Sequence, residues 1–130
     1  MGEFTTVFNG QTYSQSFIDS GSNAYFFPRT TALPSCTQPI GGVDISSFDC
    51  PLDEVNLSAT QISGATSKVV SFKINNAYNM FLSANYNFKD IAVHMPGEFD
   101  WGLPFFYGKK VYVGIETKVS SLGTGPYWAY

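Results

Sequence analysis

Asp19 follows the apolar pair Phe17-Ile18 and opens the turn Asp19-Ser20-Gly21-Ser22-Asn23. A carboxylate held at a tight bend behind a strand suits general acid–base hydrolysis of a peptide bond. In that chemistry one ionised carboxylate activates a water while a neutral acid polarises the carbonyl. Two Asp side chains about 3 Å apart fill both roles, because they cannot both ionise and so share a proton. Gly21 has no Cβ, which lets the backbone turn sharply and approach a facing loop. The Asp-Ser-Gly triplet occurs once in the chain, so the chemistry needs a second carboxylate from elsewhere. Taken alone, the triplet reads first as an Asx-type turn that closes a strand, and only its flanks favour the catalytic reading.

The elements that must position Asp19 read as β-strands. The chain has 130 residues, enough for one domain, with twelve Phe and eight Tyr among Val, Ile, Thr and Ser broken by Gly, Pro and Asn. That composition favours an all-β fold. Residues 3–8, Asn9-Gly10 and residues 11–18 form a hairpin, since both turn residues tolerate positive φ. Residues 24–27 make a short strand stopped by Pro28. Residues 55–62 and 67–74 make a second hairpin, with Val69, Val70, Phe72 and Ile74 on its apolar side. Further strands are expected at 80–82 and 91–93, joined through the polar turn 85–87. A single helical turn is expected over 103–107, with Pro104 where a first turn tolerates it. Residues 110–116 alternate as a strand with Val111, Val113 and Ile115 inward. From residue 117 the Gly-, Ser- and aromatic-rich segment reads as an arm, ordered or docking on a partner. The domain boundaries are therefore 1–116 and 117–130.

Charge and cysteine content narrow the function. The net charge of −3 and seven scattered basic residues argue against nucleic acid as a partner. Lys109-Lys110 read as a solvated turn. No apolar stretch reaches the ~20 residues that span a bilayer, and the chain opens on a strand-like segment rather than a leader. Cys36 and Cys50 flank a stretch rich in turn formers and lack metal-ligand spacing, so neither zinc nor another metal or cofactor is expected. They read as a disulfide, the alternative being two unpaired thiols. A bridge would imply an oxidising, extracytoplasmic compartment: periplasm, cell surface or exterior. Asp44, Asp49, Asp53 and Asp90 read as surface carboxylates, and His94 as an outward strand residue. Asn56-Leu57-Ser58 is a glycosylation sequon, relevant only in a eukaryotic source.

The run from Asn9-Gly10-Gln11 through Asp19-Ser20-Gly21-Ser22-Asn23-Ala24-Tyr25-Phe26-Phe27-Pro28 resembles the active-site strand of pepsin-like and retropepsin-like aspartic peptidases. Trp101-Gly102-Leu103-Pro104-Phe105-Phe106 is similar to the later apolar-apolar-Gly motif of that family. The resemblance implies a single-lobe, closed β-barrel with one short helix after Gly102, the motif passing under the catalytic loop. It implies Asp19, Ser20 and Gly21 as the catalytic turn. Ser20 would reach the opposing loop, and Ser22 would hydrogen-bond Asp19. The Cys36–Cys50 loop with the 55–74 hairpin resembles the carboxy-terminal lobe of bilobal pepsins. More narrowly, the whole pattern resembles a family of exported bacterial proteins, DUF3443.

Asp100 departs from the peptidase pattern, in which an apolar residue of that position lines the cleft beside Trp101 and Gly102. It either lies in the cleft near Asp19 or caps the helix that begins near Leu103. The expected function is peptide-bond hydrolysis, with the second Asp supplied by a second copy or by a missing lobe of the same polypeptide. The alternative is a non-catalytic module of an exported protein that grips a peptide or protein. Trp128 and Tyr127 are candidate anchors for a partner or for the domain's own surface. The 55–74 hairpin is the candidate flap.

Overall fold

The computed structural model describes residues 2–130 and is mostly β. Its elements are β1 (Phe4–Phe8), β2 (Gln11–Ile18), β3 (Tyr25–Phe27), β4 (Val55–Ser63), β5 (Thr66–Ile74), helix α1 (Ala77–Phe81), β6 (Ala92–His94) and β7 (Asp100–Trp101). A 3₁₀ turn over Leu103–Phe106 follows, then β8 (Tyr112–Gly114), β9 (Val119–Ser120), β10 (Gly123–Thr124) and β11 (Tyr127–Ala129). Both hairpins form. Asn9 and Gly10 take φ of 49° and 74°, the left-handed pair that a two-residue turn between right-twisted strands requires.

Seven strands join in one sheet in the order β5-β4-β1-β2-β7-β3-β6. The sheet curls but does not close, which corrects the expected closed barrel: its margins, β5 and β6, do not pair with one another. The reason lies at β6. Its outer side is taken by the disulfide loop, through a bridge between Phe48 and Val93 and bonds from Asp49 N to Ala92 O (3.1 Å) and His94 N to Ser47 O (2.8 Å). The loop satisfies backbone groups that β5 would otherwise have to reach. The 55–74 hairpin is correspondingly a wall of the sheet and not a free flap. β4 pairs with β1 along Thr5–Val7, and Ala59, Val70, Phe72 and Ile74 are buried. Val69 departs from the expected apolar side, being 65% exposed.

The concave side is filled by aromatic rings. Phe8, Phe27, Phe72, Phe99, Trp101 and Phe105 are all buried. They meet edge-on or stacked, Phe99 lying 4.6 Å from Trp101 and Phe27 5.2 Å from Phe99 between ring centroids. Each such ring contributes roughly 1.5–3 kcal/mol through its burial. The one polar atom of the Trp101 ring is satisfied inside, Nε1 donating to Thr6 Oγ1 at 3.0 Å. That bond ties the β7 segment to β1.

A second, smaller cluster joins Ala24, Cys36, Ile45, Ala77 and Ile91 beneath the disulfide loop. It accounts for a correction at 80–82, where α1 ends and Leu82 is its C-cap, in place of a strand. Asn76 caps α1, its side chain accepting from Asn79 N at 3.1 Å, and Ala77 with Phe81 then shares one helical face toward this cluster. The Asn cap was present in the sequence and outweighed the β-favouring Met80-Phe81-Leu82 run. Residues 110–116 shrink to the three-residue β8, whose partner is β11. Val113 and Ile115 are 60% and 68% exposed, because β8 lies outside the main sheet and has no core to face.

Asp49 is a further correction. It is fully buried, not on the surface, and accepts from Arg29 Nε at 2.7 Å. Arg29 Nη2 also donates to the carbonyls of Ser46, Ser47 and Phe48. The ion pair thus fastens the disulfide loop to the end of β3. Cys36 and Cys50 are bonded to each other.

Candidate functional site

The Asp19 turn sits where β2 leaves the sheet. β2 and β7 run parallel with Phe17 opposite Asp100 and Ile18 opposite Trp101. Side chains alternate along strands, so Ile18 and Trp101 share the core face while Phe17 and Asp100 share the other. Asp19, one residue beyond Ile18, returns to the Asp100 side. Its N–H donates to Trp101 O at 3.3 Å, which fixes the start of the turn on β7.

Within the turn the carboxylate is held by its own neighbours. Gly21 N donates to Asp19 Oδ1 at 2.8 Å, and Ser22 Oγ donates to Oδ2 at 3.2 Å. Ser22 N also donates to Asp19 O at 3.1 Å. A Cβ on Gly21 would stand 3.1 Å from Asp19 Oδ1, tight enough to disturb that bond. Asp19, Ser20 and Gly21 are exposed, and Ser22 is half-buried.

The Trp101–Leu103 segment packs directly against this turn. Leu103 N donates to Ser22 O at 2.6 Å. A Cβ on Gly102 would lie 2.0 Å from Ala24 O and 2.6 Å from Ser22 O. Only glycine permits so close an approach of two backbones. The two segments that the sequence singled out are therefore in contact, although far apart along the chain.

Asp100 is not a helix cap. The 3₁₀ turn begins after Gly102, and no side chain caps it. Asp100 instead occupies an inner strand, between Phe17 on β2 and Phe26 on β3, and is 3% exposed. Its Oδ1 is buried with no hydrogen-bond partner. Burial pushes its carboxyl up to about 6, with the Asp19 and Glu98 charges adding to the rise and the Ser22 hydroxyl opposing it. Ser22 Oγ commits its proton to Asp19.

Glu98 was not anticipated, yet its signal was present: two residues before Asp100, it falls on the same side of an extended segment. A cavity of about 430 Å³ opens beside the turn, lined by Glu3, Phe17, Asp19, Glu98 and Trp128 among others. Trp128 is held there by its Nε1–H, which donates to Gly2 O at 3.1 Å, so it docks on the domain's own surface. Cys36 and Cys50 pack in the second cluster and do not line this cavity. His94 is exposed at the end of β6 and accepts from Arg29 N through Nδ1 at 2.9 Å. Among the described residues there is no cluster of side chains suited to a metal ion, and no helix is long and apolar enough to cross a membrane.

No curated protein and no solved structure matches the chain. The family model described as "Protein of unknown function (DUF3443)" matches residues 1–130, and the chain belongs to that family.

Proposed function

We propose that this domain is one lobe of an aspartic-peptidase-like hydrolase, in which Asp19 is one carboxylate of the acid–base pair. The carrying observation is the contact of the Asp19 turn with the Trp101–Gly102–Leu103 segment, at a spacing only glycine allows. It holds an exposed carboxylate rigidly where β2 and β7 end side by side, and rigid placement of the reacting group is what such chemistry demands.

In the proposed reaction Asp19 takes a proton from water as the oxygen attacks the carbonyl carbon. A neutral acid donates toward the carbonyl oxygen. Collapse of the tetrahedral intermediate breaks the C–N bond, the amine leaving with the proton that Asp19 received. The second acid on the substrate side comes from another lobe or another copy. The cavity beside the turn, with Glu3, Asp19 and Glu98 around Phe17 and Trp128, favours a peptide carrying a basic side chain by charge complementarity. The Cys36–Cys50 bond fits an exported protein that works in an oxidising compartment.

The test is cleavage of a mixed peptide library at pH 3–7 by the chain, with Asp19→Asn as control. Acid-optimum cleavage that the substitution abolishes, with cut sites flanked by Lys or Arg, is the expected result. Undiminished cleavage by Asp19→Asn would overturn the reading. Peptide capture without cleavage, unaffected by Asp19→Asn, would favour a binding module instead.

A further inference from the structure

A second cavity, of about 300 Å³, adjoins the one at the Asp19 turn. The two share Gly2, Glu3, Ile18 and Trp128, but this one extends between the carboxy-terminal arm and the 55–74 hairpin and does not include Asp19. Its apolar wall is largely aromatic, with Phe4, Trp128 and Tyr130 beside Ile18. The hairpin supplies two donors. Gln61 pairs across the sheet with Lys68, which sets both side chains on one face. Gln61 is 7% exposed; its Oε1 accepts from the Tyr130 hydroxyl, while its Nε2 is buried without a partner. A buried donor left unpaired costs about 1–3 kcal/mol, so an acceptor brought to it is favoured.

Lys68 Nζ donates to Tyr130 O at 2.9 Å and lies 4.0 Å from the centre of the Tyr130 ring. The other N–H groups of that ammonium remain for a ligand. Both ion pairs among the described residues, Arg29–Asp49 and Lys73–Glu54, leave Lys68 out. A second ammonium stands behind the same ring: Lys109 Nζ is 4.6 Å from the Phe105 ring, which meets Tyr130 edge-on at 4.8 Å. Glu3 is the one carboxylate on the lining, and it belongs to the margin shared with the Asp19 cavity. Acidic groups therefore gather toward Asp19 and basic ones toward the hairpin.

We propose that this cavity binds a small aromatic carboxylic acid, its ring against Trp128 and Tyr130 and its carboxylate between the Lys68 ammonium and the Gln61 amide. The volume is at the small end of ligand sites, which run from roughly 300 to 1,000 Å³, and so suits a single ring with its acid group. A charge-assisted bond to Lys68 fixes which end of the ligand points to the hairpin. The ligand bridges the arm to β4 and β5, because Trp128 and Tyr130 both belong to the arm. None of this depends on hydrolysis at Asp19.

The experiment is an amide NMR titration of the full chain at pH 7 with phenylacetate, using phenylacetamide and phenethylamine as its neutral and cationic counterparts. Saturable shifts are expected at Gln61, Lys68 and the Trp128 indole N–H, with phenylacetate at least about tenfold tighter than either counterpart. Lys68 is exposed, so Lys68→Gln tests the charge without disturbing the core. It is expected to weaken phenylacetate at least about fivefold and to erase the preference for acid over amide. Absence of saturable shifts, equal affinity for acid and amide, or a preference that survives Lys68→Gln overturns the proposal. Shifts confined to the Asp19 turn overturn it as well, by placing the acid in the other cavity. Failure to cleave peptides bears on the hydrolase reading alone.

Discussion

The Cα of Gly102 lies so close to the carbonyl of Ala24 that a methyl group on it would stand 2.0 Å from that oxygen. The opposing atom is backbone, and the neighbouring Ser22 carbonyl is engaged by Leu103 N, so neither segment can yield by a rotamer change. Gly102→Ala is expected to destabilise the fold by about 3 kcal/mol, the upper range for overpacking, and to loosen the Asp19 turn. Urea unfolding measures the first effect. Amide exchange at Gly21 and Ser22 measures the second. Wild-type stability in the variant would refute the close approach.

Asp100 makes stability depend on pH in a definite direction. Its carboxyl is raised to about 6 in the folded chain, above the value of about 4 expected in the unfolded chain. Between those values the folded state binds more protons, so stability falls as pH rises and levels off above 6. Asp100→Asn removes this loss. The variant is expected to match the wild type near pH 4 and to exceed it by roughly 2 kcal/mol at pH 8. Thermal melts at the two pH values provide the comparison, and a variant less stable at pH 8 would reverse the sign of the argument.

Reduction of Cys36–Cys50 is expected to cost about 3 kcal/mol, the entropy of reopening a loop of this size. The loop covers the margin of β6, so its loss also uncovers the backbone of Ala92–His94. Denaturant melts with and without a reductant measure the stability change, and exchange rates of the β6 amides report the exposure. Equal melts would show that packing alone holds the loop.

Arg29→Met leaves Asp49 buried without a counter-charge. Breaking such a pair from one side typically costs about 3–5 kcal/mol. Part of that loss is expected to return in Arg29→Met/Asp49→Asn, since the second change removes the stranded charge. A double-mutant cycle on urea midpoints reads this directly. Simple addition of the two single effects would mean that the groups act independently.

How far the fold could be read from the sequence depended on whether each signal was local. Asn9-Gly10, the alternation of residues 67–74 and Pro104 act over a few residues, and each produced its element where expected. The Asn76 cap is local too, and it starts a helix where the apolar run Met80-Phe81-Leu82 by itself favours a strand. Non-local features were less legible. That β6 would be bordered by the disulfide loop and not by β5 follows from Phe48–Val93 pairing across a long separation, which no spacing rule encodes. At the site, Asp19 and Gly102 stood out because their backbone demands are written in residue type. The partnership of Arg29 with Asp49 did not, because a single carboxylate in a turn-rich segment carries no mark of burial. Glu98 lay within reach, since alternation from Asp100 places it on the same side.

The stacked rings of Phe27, Phe99 and Trp101 leave nothing hollow beneath the Asp19 turn. A molecule cannot therefore thread this protein as it would a tube. A ligand of the proposed site would lie across the lip of a plugged trough, against the exposed Asp19 carboxylate.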